Sequence, residues 1–84
     1  MMTAHQIALD RMLKDANHYI DEMRKDYSMV QRAVNVSKCS QELECYRLYA
    51  TNELEFGGTD YREAMSVYNV AYQKMTDTIY ETFQ

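Results

Sequence analysis

Apolar residues recur at three- and four-residue intervals through the first part of the chain. Leu9, Met12, Leu13, Ala16, Tyr19, Ile20, Met23, Tyr27, Val30 and Val34 share one side of a helix turning about 100° per residue. Thr3-Ala4-His5-Gln6 has the form of a capping box, with Met2 and Ile7 spaced as a hydrophobic staple, so the pattern predicts a helix over 4–34. At about 1.5 Å per residue that helix would be roughly 45 Å long, too long for a compact bundle unless it projects, kinks or pairs with another chain.

Asn35-Val36-Ser37-Lys38-Cys39-Ser40 interrupts this pattern with β-branched and cap-forming residues, and Ser37 or Ser40 can cap a second helix over 40–56. Two apolar stripes run along it. Cys39, Leu43, Tyr46, Ala50 and Leu54 form one, and Cys45, Leu48, Tyr49 and Phe56 form another about 120° away. A helix apolar on two sides needs two surfaces to pack against.

The only two glycines, Gly57-Gly58, follow the last periodic residue, where a left-handed backbone ends a helix without a Cβ clash. Thr59 or Asp60 then caps a third helix over 60–83, with Asp60-x-x-Glu63 at capping-box spacing. Its expected buried face is Tyr61, Ala64, Met65, Tyr68, Ala71, Tyr72, Met75, Ile79 and Phe83. A phosphate loop would need a Gly-x-x-x-x-Gly-Lys-Ser/Thr run, and a hairpin would need period-two alternation after the turn; neither follows the glycines. The predicted fold class is all-α: a three-helix antiparallel bundle, or a long helical hairpin assembly, that self-associates.

The chain has 84 residues, which predicts one helical domain over 1–84. A domain of this size buries only about 60% of its unfolded surface, and so benefits from a partner chain. Net charge is −4, unevenly spread: residues 1–38 carry six basic and five acidic groups, residues 39–84 three basic and eight acidic. The acidic half repels nucleic-acid phosphates and suits a basic protein surface. Basic residues on the first helix stand beside acids, with Asp10 to Lys14 and Asp21 to Lys25 at i,i+4 spacing, so no direct nucleic-acid binding is expected.

Cys39 and Cys45 are spaced C-x5-C, matching neither a redox motif nor a zinc site, and read as reduced thiols in the cytoplasm. Charge at Asp10 and Arg11 breaks any signal-peptide core, and no apolar run is long enough for a membrane span. Asn35-Val36-Ser37 matches the glycosylation form only by chance.

Asp15-x-x-His18 could offer a carboxylate and an imidazole to a metal, but His18 falls opposite the apolar stripe among charges, so a solvated local pair is expected. His5 falls on the apolar side as a bundle-end residue. Both histidines lie far in sequence from the two thiols, and nothing in the spacing assembles a nucleophile, base and orienting acid. No cofactor and no catalytic residue are predicted.

Eight tyrosines and seven methionines are the compositional oddity. Most fit a core built from Tyr and Met, whereas Tyr49 and Tyr80 lie off the main faces and suit an interface. The candidate partner-binding residues are therefore Cys45, Leu48, Tyr49, Phe56 and Tyr80, with the acidic Glu53, Glu55, Asp60 and Glu63. These features point to a small non-enzymatic protein-binding module, an adaptor or inhibitor of a larger complex. By analogy they fit accessory proteins of phages and mobile elements. The alternatives are a structural homo-oligomer, a dimer first, and a nucleotide-sequestering protein in which tyrosines stack on a base while Arg47 or Arg62 meets phosphate.

Overall fold

The first helix stops well short of where its apolar pattern runs out. In the computed structural model, α1 spans Ala4–Met23, α2 Met29–Glu55 and α3 Tyr61–Thr82. Residues 4–25, 28–55 and 61–83 are described, apart from the side chains of residues 5, 52–55 and 61. The expected break at 35–40 is thus corrected: the chain reverses between Met23 and Met29, and Asn35 to Ser40 lie inside α2.

The cause is a cap at Ser28. Its Oγ accepts the Gln31 backbone N–H at 3.2 Å, and its carbonyl accepts the Arg32 N–H at 3.0 Å as the first helical bond. Ser28-x-x-Gln31 has capping-box spacing, a start signal hidden beneath the continuing apolar periodicity. Residues 35–40 stay helical because β-branched and hydroxyl residues each cost at most about 0.7 kcal/mol against alanine, and no Gly or Pro intervenes. Ser28→Ala should lower the unfolding free energy by about 1 kcal/mol, read as a fall in the urea midpoint at unchanged slope. An unchanged midpoint would mean that the cap does not set the start of α2.

Ending α1 early resets the helical phase. Val30 and Val34, expected on the buried side, face solvent, and the core side of α2 becomes Asn35, Cys39, Leu43, Tyr46 and Ala50. Buried Ala16, Ile20 and Met23 from α1, Cys39 and Leu43 from α2, and Ala71 and Met75 from α3 form the central cluster. A second cluster joins Tyr46, Ala50 and Ala64, flanked by Leu9, Met12 and Tyr68.

Contacts fix the direction of each helix. Cys39 Sγ donates to Ala16 O at 3.5 Å, Ser40 Oγ lies 3.7 Å from Met75 Sδ, and Arg32 reaches Thr82 O at 3.2 Å. As α2 advances its partners on α1 and α3 recede, so α2 runs antiparallel to both and α1 runs parallel to α3. The three-helix antiparallel bundle expected from the pattern is the observed fold. It is a rod of 43 × 19 × 17 Å with a radius of gyration of 13.8 Å, against about 12 Å for a compact domain of this length.

Among the described residues, two buried polar side chains mark the inner faces. Thr78 is satisfied, accepting from Arg24 Nη2 at 3.0 Å and donating to Lys74 O at 2.8 Å. Asn35 leaves its side-chain nitrogen without a hydrogen-bond partner among the described residues. Its burial inside a helix also removes it as a glycosylation acceptor.

Candidate functional site

Among the described residues, the first apolar stripe of α2 is spent on the core and the second faces outward. Cys39, Leu43, Tyr46 and Ala50 are buried, whereas Cys45 is exposed and Leu48 and Tyr49 keep 48% and 41% of their surfaces accessible. Cys45, Leu48 and Tyr49 stand at i, i+3 and i+4 and so form one continuous patch on a single helix.

The remaining candidates do not all join that patch. Tyr80 is 74% exposed but sits about 24 Å further along α3 than Ala64, which packs at the level of Ala50. Glu63 is exposed near the start of α3, close enough to Tyr46 to add to the burial that pushes the Tyr46 hydroxyl above its ordinary pKa. Phe56 and Asp60 lie outside the described residues, as do the glycine corner and the side chains of Glu53 and Glu55. Val30 and Val34, 76% and 39% exposed, are surface apolar groups although their spacing places them on a buried face.

Charges around the patch are locally paired. Arg47 bridges Glu44 one turn away and holds that carboxyl below the usual carboxylate range. Burial, then the Asp15 carboxylate, pushes Glu42 up. Lys38 lies over the Tyr19 ring, 5.8 Å from its centroid. On α1, Lys14 meets Asp10 at 3.1 Å as expected, but Lys25 pairs with Glu22 at 2.7 Å in place of the anticipated Asp21 partner.

The tyrosines form a ladder between α2 and α3. Tyr46 and Tyr68 stack at 6.4 Å, and Tyr68 and Tyr72 at 5.9 Å, the series running from the buried Tyr46 to the exposed Tyr72. These rings stack on one another.

His18 is exposed and meets Tyr19 edge-on at 5.4 Å. Among the described residues, no group of three or more His, Cys, Asp or Glu is placed to hold a metal ion. Cys39 donates its thiol to a backbone carbonyl, and burial pushes that thiol up to about 11. A solvent-open depression of about 880 Å³ runs along the outer face of α3, lined by Arg24, Arg62 and Lys74 together with Asp77 and Glu81. Mixed charge and openness make it a poor cradle for an anion. No described helix is long and apolar enough to cross a membrane. No protein-family model, curated protein or solved structure matches the chain.

Proposed function

We propose that the chain is a small, non-enzymatic protein-binding module that acts as an adaptor or inhibitor of a larger protein complex. The observation that carries the reading is the outward patch of Cys45, Leu48 and Tyr49, apolar and aromatic side chains held on a rigid helix. Aromatic and aliphatic groups so displayed supply the water-excluding centre of an interface. Residues 39–84 carry eight acidic against three basic groups, which favours a basic partner surface. The same size and charge fit an accessory protein of a phage or mobile element working in the cytoplasm, an analogy that the identity of the partner would decide.

The nucleotide-sequestering alternative loses ground, since Arg47 is engaged by Glu44 and Arg62 stands in an open depression of mixed charge. The test is a nuclease-treated pull-down with the tagged chain, followed by a variant carrying Lys at Glu53, Glu55, Asp60 and Glu63. A stoichiometric protein partner whose binding falls at least tenfold in the variant is the expected result. Undiminished binding by the variant would end the acidic-surface reading.

A further inference from the structure

The first two turns of α2 carry two buried donors that the fold leaves unpaired. Among the described residues, Arg32 Nε and Asn35 Nδ2 are the buried side-chain atoms without a hydrogen-bond partner. They stand at i and i+3 on one face of one helix, where Cβ atoms lie about 5–6 Å apart. Asn35 is only 4% exposed, so its amide is closed off from bulk solvent.

The antiparallel packing fixes what surrounds them. Arg32 meets Thr82 O and Lys25 O, and further along α2 Cys39 meets Ala16 O and Ser40 meets Met75. Asn35 lies between those contacts, in the layer of Thr78 on α3 and next to Ile20 on α1, one turn inside the guanidinium. The Thr78 hydroxyl is engaged elsewhere, accepting from Arg24 and donating to Lys74 O. Beyond this layer the core is apolar, with Ile20, Met23 and Leu43 buried.

A buried N–H that lacks an acceptor bears its full desolvation cost, and native proteins leave few such groups. The acceptor here must come from outside the described side chains, and its chemistry is limited from two sides. Both unpaired groups are donors, which rules out a cation. The guanidinium already faces carbonyl oxygens at the C-terminal ends of α1 and α3, whose partial negative charge opposes an anion. Water both accepts and donates, and so suits donors on one side and carbonyls on the other. We infer that the bundle holds one internal water beneath the Arg32 guanidinium, accepting from both Asn35 Nδ2 and Arg32 Nε. Two N–H···O bonds of about 2.9 Å meeting at a tetrahedral oxygen span roughly 4.7 Å between donors, a separation that side chains at i and i+3 reach. The space needed is small, about 10–15 Å³, and Asn35 and Thr78 are shorter side chains than the Ile20, Met23 and Met75 of the adjoining cluster. The water completes the hydrogen bonding of the clamped end at the entropic cost of being held there. This inference is independent of what the outer face of α2 binds.

Water-selective rotating-frame NOE spectroscopy of the nitrogen-labelled wild type tests it, in cold, mildly acidic buffer where side-chain N–H exchange is slow. Asn35 Hδ2 and Arg32 Hε should both show dipolar cross-peaks to water, of the sign opposite to exchange. In Asn35→Leu, whose apolar side chain removes one of the two anchors, the Arg32 Hε cross-peak should be lost. A wild type with no water cross-peak at Asn35 would overturn the inference, and would mean that the amide is turned so that its oxygen accepts directly from Arg32 Nε. A cross-peak at only one of the two groups, or one that persists at Arg32 in the leucine variant, would break the bridge. A wild-type melting temperature that rises with chloride at constant ionic strength would identify an anion in place of water, and would equally overturn it.

Discussion

Arg32→Ala should lower the unfolding free energy by about 2 kcal/mol, and the melting temperature by several degrees, because one guanidinium closes two helices. The parallel ends of α1 and α3 leave carbonyls unpaired at the same end of the rod, where α2 begins. Neither helix has a basic residue in its own last turn. Arg32 supplies the charge from α2, Nη2 donating to Lys25 O and Nη1 to Thr82 O, each at 3.2 Å. Charged donors on carbonyls contribute about 1.5–3 kcal/mol each, and the carbonyl ends of two helix dipoles favour the cation. Two losses offset part of this: a cation in the first turn of α2 opposes that helix's own dipole, and Nε is buried without a hydrogen-bond partner among the described residues. Arg32→Lys should recover only part of the stability, since an ammonium lacks the planar fork that spans both carbonyls. Urea unfolding of the two variants checks this, and an alanine variant as stable as the wild type would show that the clamp contributes nothing. Arg24 reinforces the same end through Thr78 and Glu81, the latter at 3.3 Å, although that ion pair is largely exposed and screened.

The two thiols should differ in reactivity by at least about a thousandfold. Cys45 is exposed and reacts from the native state, whereas Cys39 is fully buried and bonded to Ala16 O. Reaching Cys39 requires opening of the bundle, and a stability of even about 5 kcal/mol holds the open fraction below roughly one in a thousand. A thiol-reactive disulfide added to micromolar chain should therefore give one fast and one slow equivalent. Equal rates would place Cys39 at the surface.

The same burial sets an alkaline limit. The Cys39 pKa is raised from 9.0 to about 11, so the folded chain favours the neutral thiol. Its contribution is intact below pH 9 and is lost as pH rises from 9 towards 11, at up to about 1.4 kcal/mol per pH unit. Tyr46, also raised by burial, adds to the loss above pH 10. Cys39→Ala should flatten the stability curve between pH 9 and 10.

Much of this fold is legible in the sequence because burial follows periodicity. The spacing of Ala16, Ile20 and Met23, of Cys39, Leu43, Tyr46 and Ala50, and of Ala64, Ala71 and Met75 places each on its buried face before any packing is known. The misplaced boundary between α1 and α2 has the same origin. Tyr27, Val30 and Val34 continue the α1 spacing, so periodicity alone carries the helix through a point where Ser28 and Gln31 start a new one. A long-range contact is equally invisible: Arg24, just past the end of α1, donates to the buried Thr78, far away in sequence. The candidate patch was half legible. Its residue types and their 120° offset from the core stripe could be read, but not that Tyr80 stands at the far end of the rod from Tyr49, nor that the early turn would extend the outer strip to Val30.

The proposed mode of action is the presentation of the outer face of α2 to another protein chain. Its most direct test is a nuclease-treated pull-down comparing the wild type with Leu48→Glu, the two matched for helical content and melting temperature. A stoichiometric protein bound to the wild type and lost from Leu48→Glu is the expected result. Recovery of the same proteins by both baits, or of none by either, would contradict it.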